Sequence, residues 1–136
     1  MKKTHGSLFS GIGAPELASE WMGWENLFHC EINDFCRSFL EKRFKSTSYA
    51  DITTTDFNIW RGRVDILTGG FPCQDASKAK QTGGRGQLGL EGHRTGLWWH
   101  MYRAIDEIRP RWVVAENVAN ITRVNNGRDF AKILHS

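Results

Sequence analysis

The chain has 136 residues, of which 40% are hydrophobic and 24% charged, with a formal net charge of +3. This length fits one domain with a real core, and no apolar run approaches the roughly 18 residues that a membrane span needs. The three cysteines have neither an even count nor metal-site spacing, and the N-terminus lacks an apolar signal segment. We therefore expect a cytoplasmic protein in a reducing setting, with no metal and no membrane contact.

The first third of the chain predicts two strands, each followed by a helix. Residues 4–10 and 24–31 form the apolar runs of the strands, and residues 15–23 and 33–44 have helical periodicity. Pro15 suits a first helical turn, and Asn33 or Asp34 suits a helix cap. The expected apolar sides are Leu17, Trp21 and Met22 in the first helix, and Phe35, Phe39, Leu40 and Phe44 in the second.

The remaining chain continues the alternation of strands and helices. Residues 49–52 predict a short third strand, and residues 63–70 a fourth whose continuous apolar core indicates burial on both faces. A helix over residues 96–109 should end before Pro110, and residues 111–118 predict a fifth strand before a helix that begins near residue 127. This order predicts an α/β fold with a doubly wound, mostly parallel sheet.

Ligands of such sheets bind beyond the carboxyl ends of the strands, and polar residues stand at these ends here. Gly11 and Gly13 follow the first strand, Glu31 follows the second about 20 residues later, and Asp51 lies at the third. The glycines let backbone approach a ligand, while the carboxylates suit ribose hydroxyls and an adenine amino group. A third glycine is missing, which favours S-adenosylmethionine over NAD. Each feature also has an alternative explanation: the glycines could form a structural turn, Glu31 could cap the next helix, and Asp51 could be a turn residue.

The fourth and fifth strands end in a cysteine and a carboxylate. Pro72 fixes the backbone before Cys73, which starts a glycine-rich loop where a thiolate can act as a nucleophile. We expect Cys30 and Cys36 to be small buried hydrophobes instead. Glu116 should lie beside the fourth strand, where it pairs with Cys73 as nucleophile and acid; a helix cap is its alternative role.

The loop after Cys73 is basic as well as rich in glycine. Its cationic residues are Lys78, Lys80, Arg85 and Arg94. They indicate a contact with a polyanion, and a solvated loop that happens to be basic is the alternative.

The segments "FSGIGAPE", Glu31, Asp51, "GGFPCQDAS" and "AENV" occur in an order that resembles the DNA (cytosine-5) methyltransferases. The resemblance extends over residues 9–118 and is most specific in Pro-Cys-Gln followed about forty residues later by Glu-Asn-Val. It implies a Rossmann-like, S-adenosylmethionine-dependent methyltransferase fold, here of about five strands.

The resemblance also implies a role for each matching residue. Cys73 would attack carbon 6 of a cytosine that is flipped out of double-stranded DNA, and Glu116 would bind the ring nitrogen and the exocyclic amino group. The residues implied at the cofactor are Phe9, Gly11, Ile12, Gly13, Glu31, Ile32, Asp51, Ile52, Pro72 and Leu97. Those implied at the substrate or DNA are Gln74, Ser77, Lys78, Lys80, Arg85, Arg94 and Asn117.

The chain departs from the family pattern in two respects. Phe71 stands where the family commonly has a proline. No Gln-x-Arg-x-Arg strand, target recognition region or returning C-terminal segment is visible, so residues 1–136 are expected to be the N-terminal part of the catalytic domain. The parent would be of restriction-modification or phage type, and the isolated fragment would be inactive. Self-association is expected through exposed tryptophans, namely Trp24, Trp60, Trp98 and Trp99.

Two other functions stay open from the sequence. The chain could be a binding module that keeps the fold and an affinity for cofactor or DNA without catalysis. The second open function is that of a cysteine-dependent hydrolase or a nucleotide-binding oxidoreductase. Such an enzyme would need a base near Cys73. His93 and His100 do not stand in a recognisable triad pattern.

Overall fold

The computed structural model describes residues 1–72 and 96–136, which form a five-stranded sheet with helices on both faces. No helix in these two ranges is long and apolar enough to cross a bilayer. The strands are β1 (Thr4–Leu8), β2 (Glu25–Cys30), β3 (Thr47–Tyr49), β4 (Ile66–Gly70) and β5 (Trp112–Glu116). The α-helices are α1 (Ala14–Trp21), α2 (Asp34–Arg43), α3 (Leu97–Ile108) and α4 (Arg128–His135).

The strand order is β3-β2-β1-β4-β5, and all four pairings are parallel. The chain moves outward from β1 in one direction to β3 and then crosses back to β4, so the order reverses between β1 and β4. This confirms the predicted doubly wound sheet, and it creates a crevice at the carboxyl ends of β1 and β4 where ligands of such sheets bind.

One face of the sheet carries the main hydrophobic core. Leu8, Phe28 and Leu67 are fully buried there and form one cluster with apolar residues of α3, among them Met101. The contact between β1 and β2 is close, because a Cβ atom at Gly6 would lie 2.4 Å from the ring of Phe28. Glycine at this position therefore gives the ring the space that a side chain would occupy.

The opposite face, under α1, is polar. His5 is fully buried, with its Nδ1 2.6 Å from Asn26 Oδ1 and its Nε2 2.9 Å from Thr68 Oγ1. The Asn26 amide donates to the carbonyl of Glu16, so its oxygen faces His5 and Nδ1 must carry the proton. Burial lowers the pKa of His5, in keeping with this neutral ring. The network joins β1, β2, β4 and α1.

The orientation of α1 differs from the prediction. Its buried residues are Glu16 and Ser19, whereas Trp21 is 79% exposed and Met22 is also exposed. The reason lies in the sheet beneath, which offers hydroxyl and amide groups at Ser7 and Asn26 rather than hydrocarbon. The prediction was therefore wrong for Trp21 and Met22, whereas Leu17 is half-buried.

The second helix is confirmed in its start and corrected in its packing. Asn33 is the cap, and its side chain accepts a hydrogen bond from the Cys36 amide at 3.0 Å. Leu40 is buried, as is Phe44 just beyond the helix, but Phe35 and Phe39 are exposed. Each residue adds about 100° around a helix, so the expected stripe was too wide to fit one contact face.

The later elements occur where the sequence predicts them, but three strands differ in their boundaries: β4 begins at Ile66 rather than residue 63, β5 covers Trp112–Glu116 rather than residues 111–118, and β3 is shifted. This strand covers Thr47–Tyr49 rather than residues 49–52. Val64, Ile66 and Leu67 are buried, which confirms the burial predicted for the fourth strand region. The third helix ends before Pro110, where Arg109 adopts a left-handed conformation. Three short 3₁₀ helices in the described part of the chain were not predicted, namely Asn58–Trp60, Ala119–Thr122 and Val124–Gly127.

The expectation for the tryptophans was only partly right. Trp99 is exposed and Trp24 is half-buried, but Trp60 and Trp98 are buried in the main core. The large exposed apolar side chains of β5 were missed: Trp112 is 70% and Val114 58% exposed. Every residue of β5 is exposed, and among the described residues no further strand pairs with its outer edge.

Two of the three cysteines lie within the described residues. Cys30 is buried as expected, and burial raises the pKa of its thiol to about 12. Cys36 is only half-buried, so that expectation was too strong. It follows Asn33 at the start of α2, where its side chain faces partly to solvent.

Candidate active site

The turn between β1 and α1 contains three residues with positive φ, namely Phe9 at 52°, Gly11 at 58° and Gly13 at 92°. The two glycines serve different purposes. A Cβ atom at Gly13 would lie 2.5 Å from the Phe44 ring, so this glycine is required for packing against the end of α2. At Gly11 nothing lies within 4 Å of such an atom, so the backbone there faces open space. Phe9 adopts a conformation that costs a non-glycine residue roughly 1–2 kcal/mol.

Glu31 links this turn to the next one along the sheet edge. One carboxylate oxygen accepts a hydrogen bond from the Gly11 amide at 2.7 Å, and the other accepts from the Asn33 amide at 2.8 Å. The carboxylate thus does more than cap α2. Each oxygen can accept a second bond, so the two remaining acceptor sites suit a pair of neighbouring hydroxyl groups.

Asp51 follows β3 and holds its own turn. Its Oδ1 accepts bonds from the amide of Thr53 at 2.8 Å and from the hydroxyl of Thr53 at 2.7 Å, which lower the pKa of the carboxyl group. The role as a turn residue is therefore real. Ile52 belongs to the main core and is buried, so a ligand could touch only an edge of this side chain.

Two exposed isoleucines accompany these polar groups. Ile12 follows Gly11 in the first turn, Ile32 follows Glu31 in the second, and both side chains are largely exposed. Pro72 and Leu97, at the ends of the two described ranges, are half-buried. Apolar side chains next to hydrogen-bonding groups are typical of pockets for ligands with a flat ring.

Glu116 lies at the end of β5, directly opposite Gly70 of β4. Its Oε2 atom is 3.1 Å from the place where a Cβ atom of Gly70 would stand. The carboxylate therefore lies over the strand that leads to residue 73. The alternative role as a helix cap finds no support, because the 3₁₀ helix that follows starts after Val118 and has no side-chain cap.

Asn117 strengthens the same junction. Its side-chain amide donates to the carbonyl of Phe71 at 3.1 Å, and its oxygen accepts from the Val118 amide at 2.8 Å. The ends of β4 and β5 are thereby tied together just after Gly70. Glu116 and Asn117 are brought next to the backbone that immediately precedes Pro72, as the predicted strand order requires.

Several predicted residues lie outside the described residues. These are Cys73, Gln74, Ser77, Lys78, Lys80, Arg85 and Arg94, all within residues 73–95. The shared cavity expected for the Cys73 sulfur and Glu116 accordingly stays a prediction.

Glu16 is the last residue of the segment "FSGIGAPE", but no role was predicted for it. This residue is 0% exposed, and no hydrogen bond of good geometry reaches either carboxyl oxygen, although the Ser7 and Ser10 hydroxyls lie beside it. Burial raises the pKa of its carboxyl group, while the hydroxyls of Ser7 and Ser10 oppose the rise. Hydrophobic periodicity assigns an acidic residue to the solvent side of a helix, so the only available signal was its place at the end of that segment.

The groups at this edge fit S-adenosylmethionine. The ribose of this cofactor has two hydroxyls that need hydrogen-bond acceptors, and each Glu31 carboxylate oxygen can accept one more hydrogen bond. The adenine ring needs apolar contacts, which the exposed side chains of Ile12 and Ile32 offer. The open space beside Gly11 leaves room for a ligand against the backbone. The acceptor groups and apolar side chains at this edge thus agree with the chemistry of the cofactor that the sequence implies.

Comparison with known proteins gives the family. The family model for C-5 cytosine-specific DNA methylases matches residues 4–136. A type II methyltransferase of Psychrobacter sp., M.PspPI, is 36% identical over 129 residues, which are 93% of this chain and 30% of that protein. Another from Bacillus subtilis, M2.BsuMI, is 34% identical over 128 residues, or 90% of this chain and 31% of the relative.

Solved structures agree on the fold. A DNA modification methyltransferase encoded within an E. coli prophage superposes with a TM-score of 0.72 at 22% identity, covering 98% of this chain and 37% of that one. The S. pombe Dnmt2 methyltransferase gives 0.68 at 17% identity, with coverage of 99% and 40%. This chain spans about 30% of the length of the relatives named above. It belongs to the C-5 cytosine-specific DNA methylase family, whose family model matches nearly all of it.

Proposed function

We propose that this chain is the N-terminal, cofactor-binding part of a DNA (cytosine-5) methyltransferase of restriction-modification or phage type. The complete protein would transfer a methyl group from S-adenosylmethionine to carbon 5 of a cytosine flipped out of double-stranded DNA. The observation that carries the proposal is the Glu116 carboxylate beside Gly70, three residues before Cys73. Family membership supports the same reaction class.

The cofactor half of the proposal rests on the first two strand ends. When bound, S-adenosylmethionine supplies an electrophilic methyl group on a positively charged sulfur. Glu31 would accept the ribose hydroxyls while it holds the Gly11 and Asn33 amides. Ile12 and Ile32 would cover the adenine ring, and Asp51 would accept from its amino group. Phe9, Gly13, Ile52, Pro72 and Leu97 complete the proposed surroundings.

The catalytic half depends on two residues that act together. Carbon 5 of cytosine is too weak a nucleophile until electrons are pushed into the ring. The Cys73 thiolate forms a bond to carbon 6, and the displaced electron pair moves to the ring nitrogen, which the Glu116 carboxyl group protonates. Carbon 5 would then take the methyl group from the sulfonium, which would leave as the uncharged S-adenosylhomocysteine. Transfer of the carbon 5 proton to water would restore the double bond and expel the thiolate, and the ring nitrogen would return its proton to Glu116.

The remaining proposed contacts concern DNA. Extrusion of a base from the duplex costs a few kcal/mol, so groups that hold the extruded cytosine and its phosphates are needed. Asn117 stands next to Glu116 and already binds the backbone before Pro72. The loop would supply Gln74, Ser77, Lys78, Lys80, Arg85 and Arg94 to the base and the phosphate oxygens.

Binding of labelled S-adenosylmethionine to the 136-residue chain tests the cofactor half. Glu31→Gln should weaken binding by about 10-fold or more, because a charge-assisted hydrogen bond contributes roughly 1.5–3 kcal/mol. Glu41→Gln is the matched control, since this carboxylate faces outward and binds the Ser48 hydroxyl. Equal affinities of the Glu31→Gln and Glu41→Gln variants would contradict the assignment.

A covalent trap tests the catalytic half. A duplex with 5-fluorocytosine should form a stable adduct with the complete gene product, because fluorine cannot leave as a proton does. The Cys73→Ser variant should form none. An adduct of equal yield in both proteins would reject Cys73 as the nucleophile. The isolated 136-residue chain is proposed to bind the cofactor without transferring a methyl group, as a non-catalytic module would.

A further inference from the structure

A buried acidic side chain lies under the turn of the proposed cofactor site. Glu16 occupies the first turn of α1 and is 0% exposed. No hydrogen bond of good geometry reaches either carboxyl oxygen, and the groups beside it are the hydroxyls of Ser7 and Ser10 and its own backbone amide. A buried carboxyl group that is so weakly satisfied costs free energy, about 1–3 kcal/mol. Its place under the turn therefore points to a role beyond packing.

The groups that face Glu16 come from the two strands against which α1 packs. Ser7 and Ser10, which are 2.7 Å apart at their hydroxyl oxygens, lie beside the carboxyl group at the end of β1. Glu31, at the end of β2, adds an unfavourable negative charge. His5 also faces α1, but both of its ring nitrogens are engaged by Asn26 and Thr68. The nearest of these neighbours are thus hydroxyls and a second carboxylate.

Glu16 lies next to the turn between β1 and α1. Ser10 begins the turn, with its amide bonded to the Cys30 carbonyl, and the Gly13 amide closes it on the Ser10 carbonyl. Gly11, inside this turn, faces open space and is held by Glu31. The Glu16 carboxyl group is thus linked to the turn through the hydroxyl of Ser10, its first residue.

We propose that Glu16 is a positioning residue of the cofactor site, whose buried carboxylate favours a positively charged sulfonium donor over the uncharged product that methyl transfer leaves. The inference rests on the proposed function, because it needs S-adenosylmethionine at the Gly11 turn. Glu16 acts through the turn and touches no reacting atom. Its charge is felt across the turn because water is excluded from its surroundings, where charges interact more strongly than in bulk solvent.

The protonation state of Glu16 gives the inference a measurable signature. Burial and the charge of Glu31 both raise the pKa of its carboxyl group, so the group is neutral at low pH and becomes ionised as the pH rises. Only the ionised form attracts a sulfonium. The preference for S-adenosylmethionine over S-adenosylhomocysteine should therefore grow with pH. Both ligands carry the same amino acid and nucleoside parts, so their other titrations largely cancel in the ratio.

Calorimetric binding of the two ligands to the 136-residue chain at several pH values tests the inference. In the wild type, the affinity ratio should rise by about 10-fold as Glu16 ionises. In Glu16→Gln and Glu16→Met the ratio should be low and independent of pH. Glu20→Gln is the matched control, because Glu20 lies on the same helix but pairs with Arg43 at the surface. This variant should keep the wild-type ratio.

Each result decides between the two claims. Equal weakening of both ligands in the Glu16 variants, or a wild-type ratio that does not change with pH, overturns the inference and leaves the proposed function standing. Absence of binding of either ligand to the wild type overturns the proposed function and the inference with it. Folding is checked by urea unfolding, in which Glu16→Met should be at least as stable as the wild type because it removes an unpaired buried carboxyl group.

Discussion

Two glycines of one sequence motif, at the carboxyl edge of the sheet, are needed for unrelated structural reasons. Gly11 and Gly13 look equivalent in the sequence, and both have positive φ. Gly13 makes room for Phe44 and Leu40 of the neighbouring helix region, whereas Gly11 borders open space and gives its amide to Glu31. The first glycine borders the candidate site, and the second is required for packing.

This difference predicts different costs of substitution. Gly11→Ala should lower the free energy of unfolding by about 1–2 kcal/mol through backbone strain alone. Gly13→Ala adds a clash with the Phe44 ring and should cost about 2–4 kcal/mol. Urea unfolding of both variants measures the contrast. A Gly13→Ala variant as stable as Gly11→Ala would show that the end of α2 yields without cost.

At the scale of elements, the sequence predicted the order and type of the five strands and four α-helices found in the described residues. Alternation of apolar runs with amphipathic stretches is enough for this, because short apolar runs favour strands even where, as in β5, the strand stays exposed. The carboxyl edge also followed from the alternation, since parallel strands put Glu31, Asp51 and Glu116 on one side. The general position of the site was therefore predictable.

Helix orientation was not predictable in the same way. The prediction for α1 assumed that Trp21 faces the core, but the sheet under this helix carries His5, Ser7 and Asn26. A polar sheet face selects polar helix residues, and this depends on which strands become neighbours. Glu16 was missed for the same reason. The contact between Glu116 and the residue opposite it also depends on register, which a single sequence does not specify.

The two tryptophans of opposite environment provide a test of this orientation. Trp21→Ala should change the free energy of unfolding by no more than about 0.5 kcal/mol, because its side chain is 79% exposed. Trp60→Ala should cost about 3–5 kcal/mol. Its ring stacks on Phe28 with centroids 5.3 Å apart, and its Nε1 donates to the Tyr49 hydroxyl at 3.1 Å.

Denaturant unfolding followed by circular dichroism measures both variants without relying on tryptophan fluorescence. A large loss of stability in Trp21→Ala would mean that α1 buries its apolar side after all. A small loss of stability in Trp60→Ala would mean that the aromatic cluster around Phe28 contributes little to the stability of the core.

At the scale of the whole molecule, the described sheet ends in a strand that is neither covered nor paired on its outer side. Parallel strands are normally buried on both faces, yet all five residues of β5 are exposed. Exposed apolar edges promote association, because unpaired backbone groups and hydrocarbon can meet a second copy. We expect self-association through β5 rather than through Trp60 or Trp98.

Sedimentation equilibrium at increasing protein concentration checks this expectation. Val114→Lys should raise the monomer fraction, since a charge on the exposed face of β5 opposes pairing. Leu134→Lys changes an equally exposed apolar residue of α4 and should leave association nearly unchanged. A wild-type chain that is monomeric at high concentration would contradict the role of this edge.

The fit of the Phe28 ring into the space at Gly6 constrains how the protein can diverge. With only 2.4 Å available, a methyl group at position 6 cannot coexist with an aromatic ring at position 28. A smaller side chain at position 28 alone would leave a void between the first two strands. The two positions are therefore expected to change together in evolution. A relative with alanine at position 6 should carry a slimmer aliphatic residue at position 28.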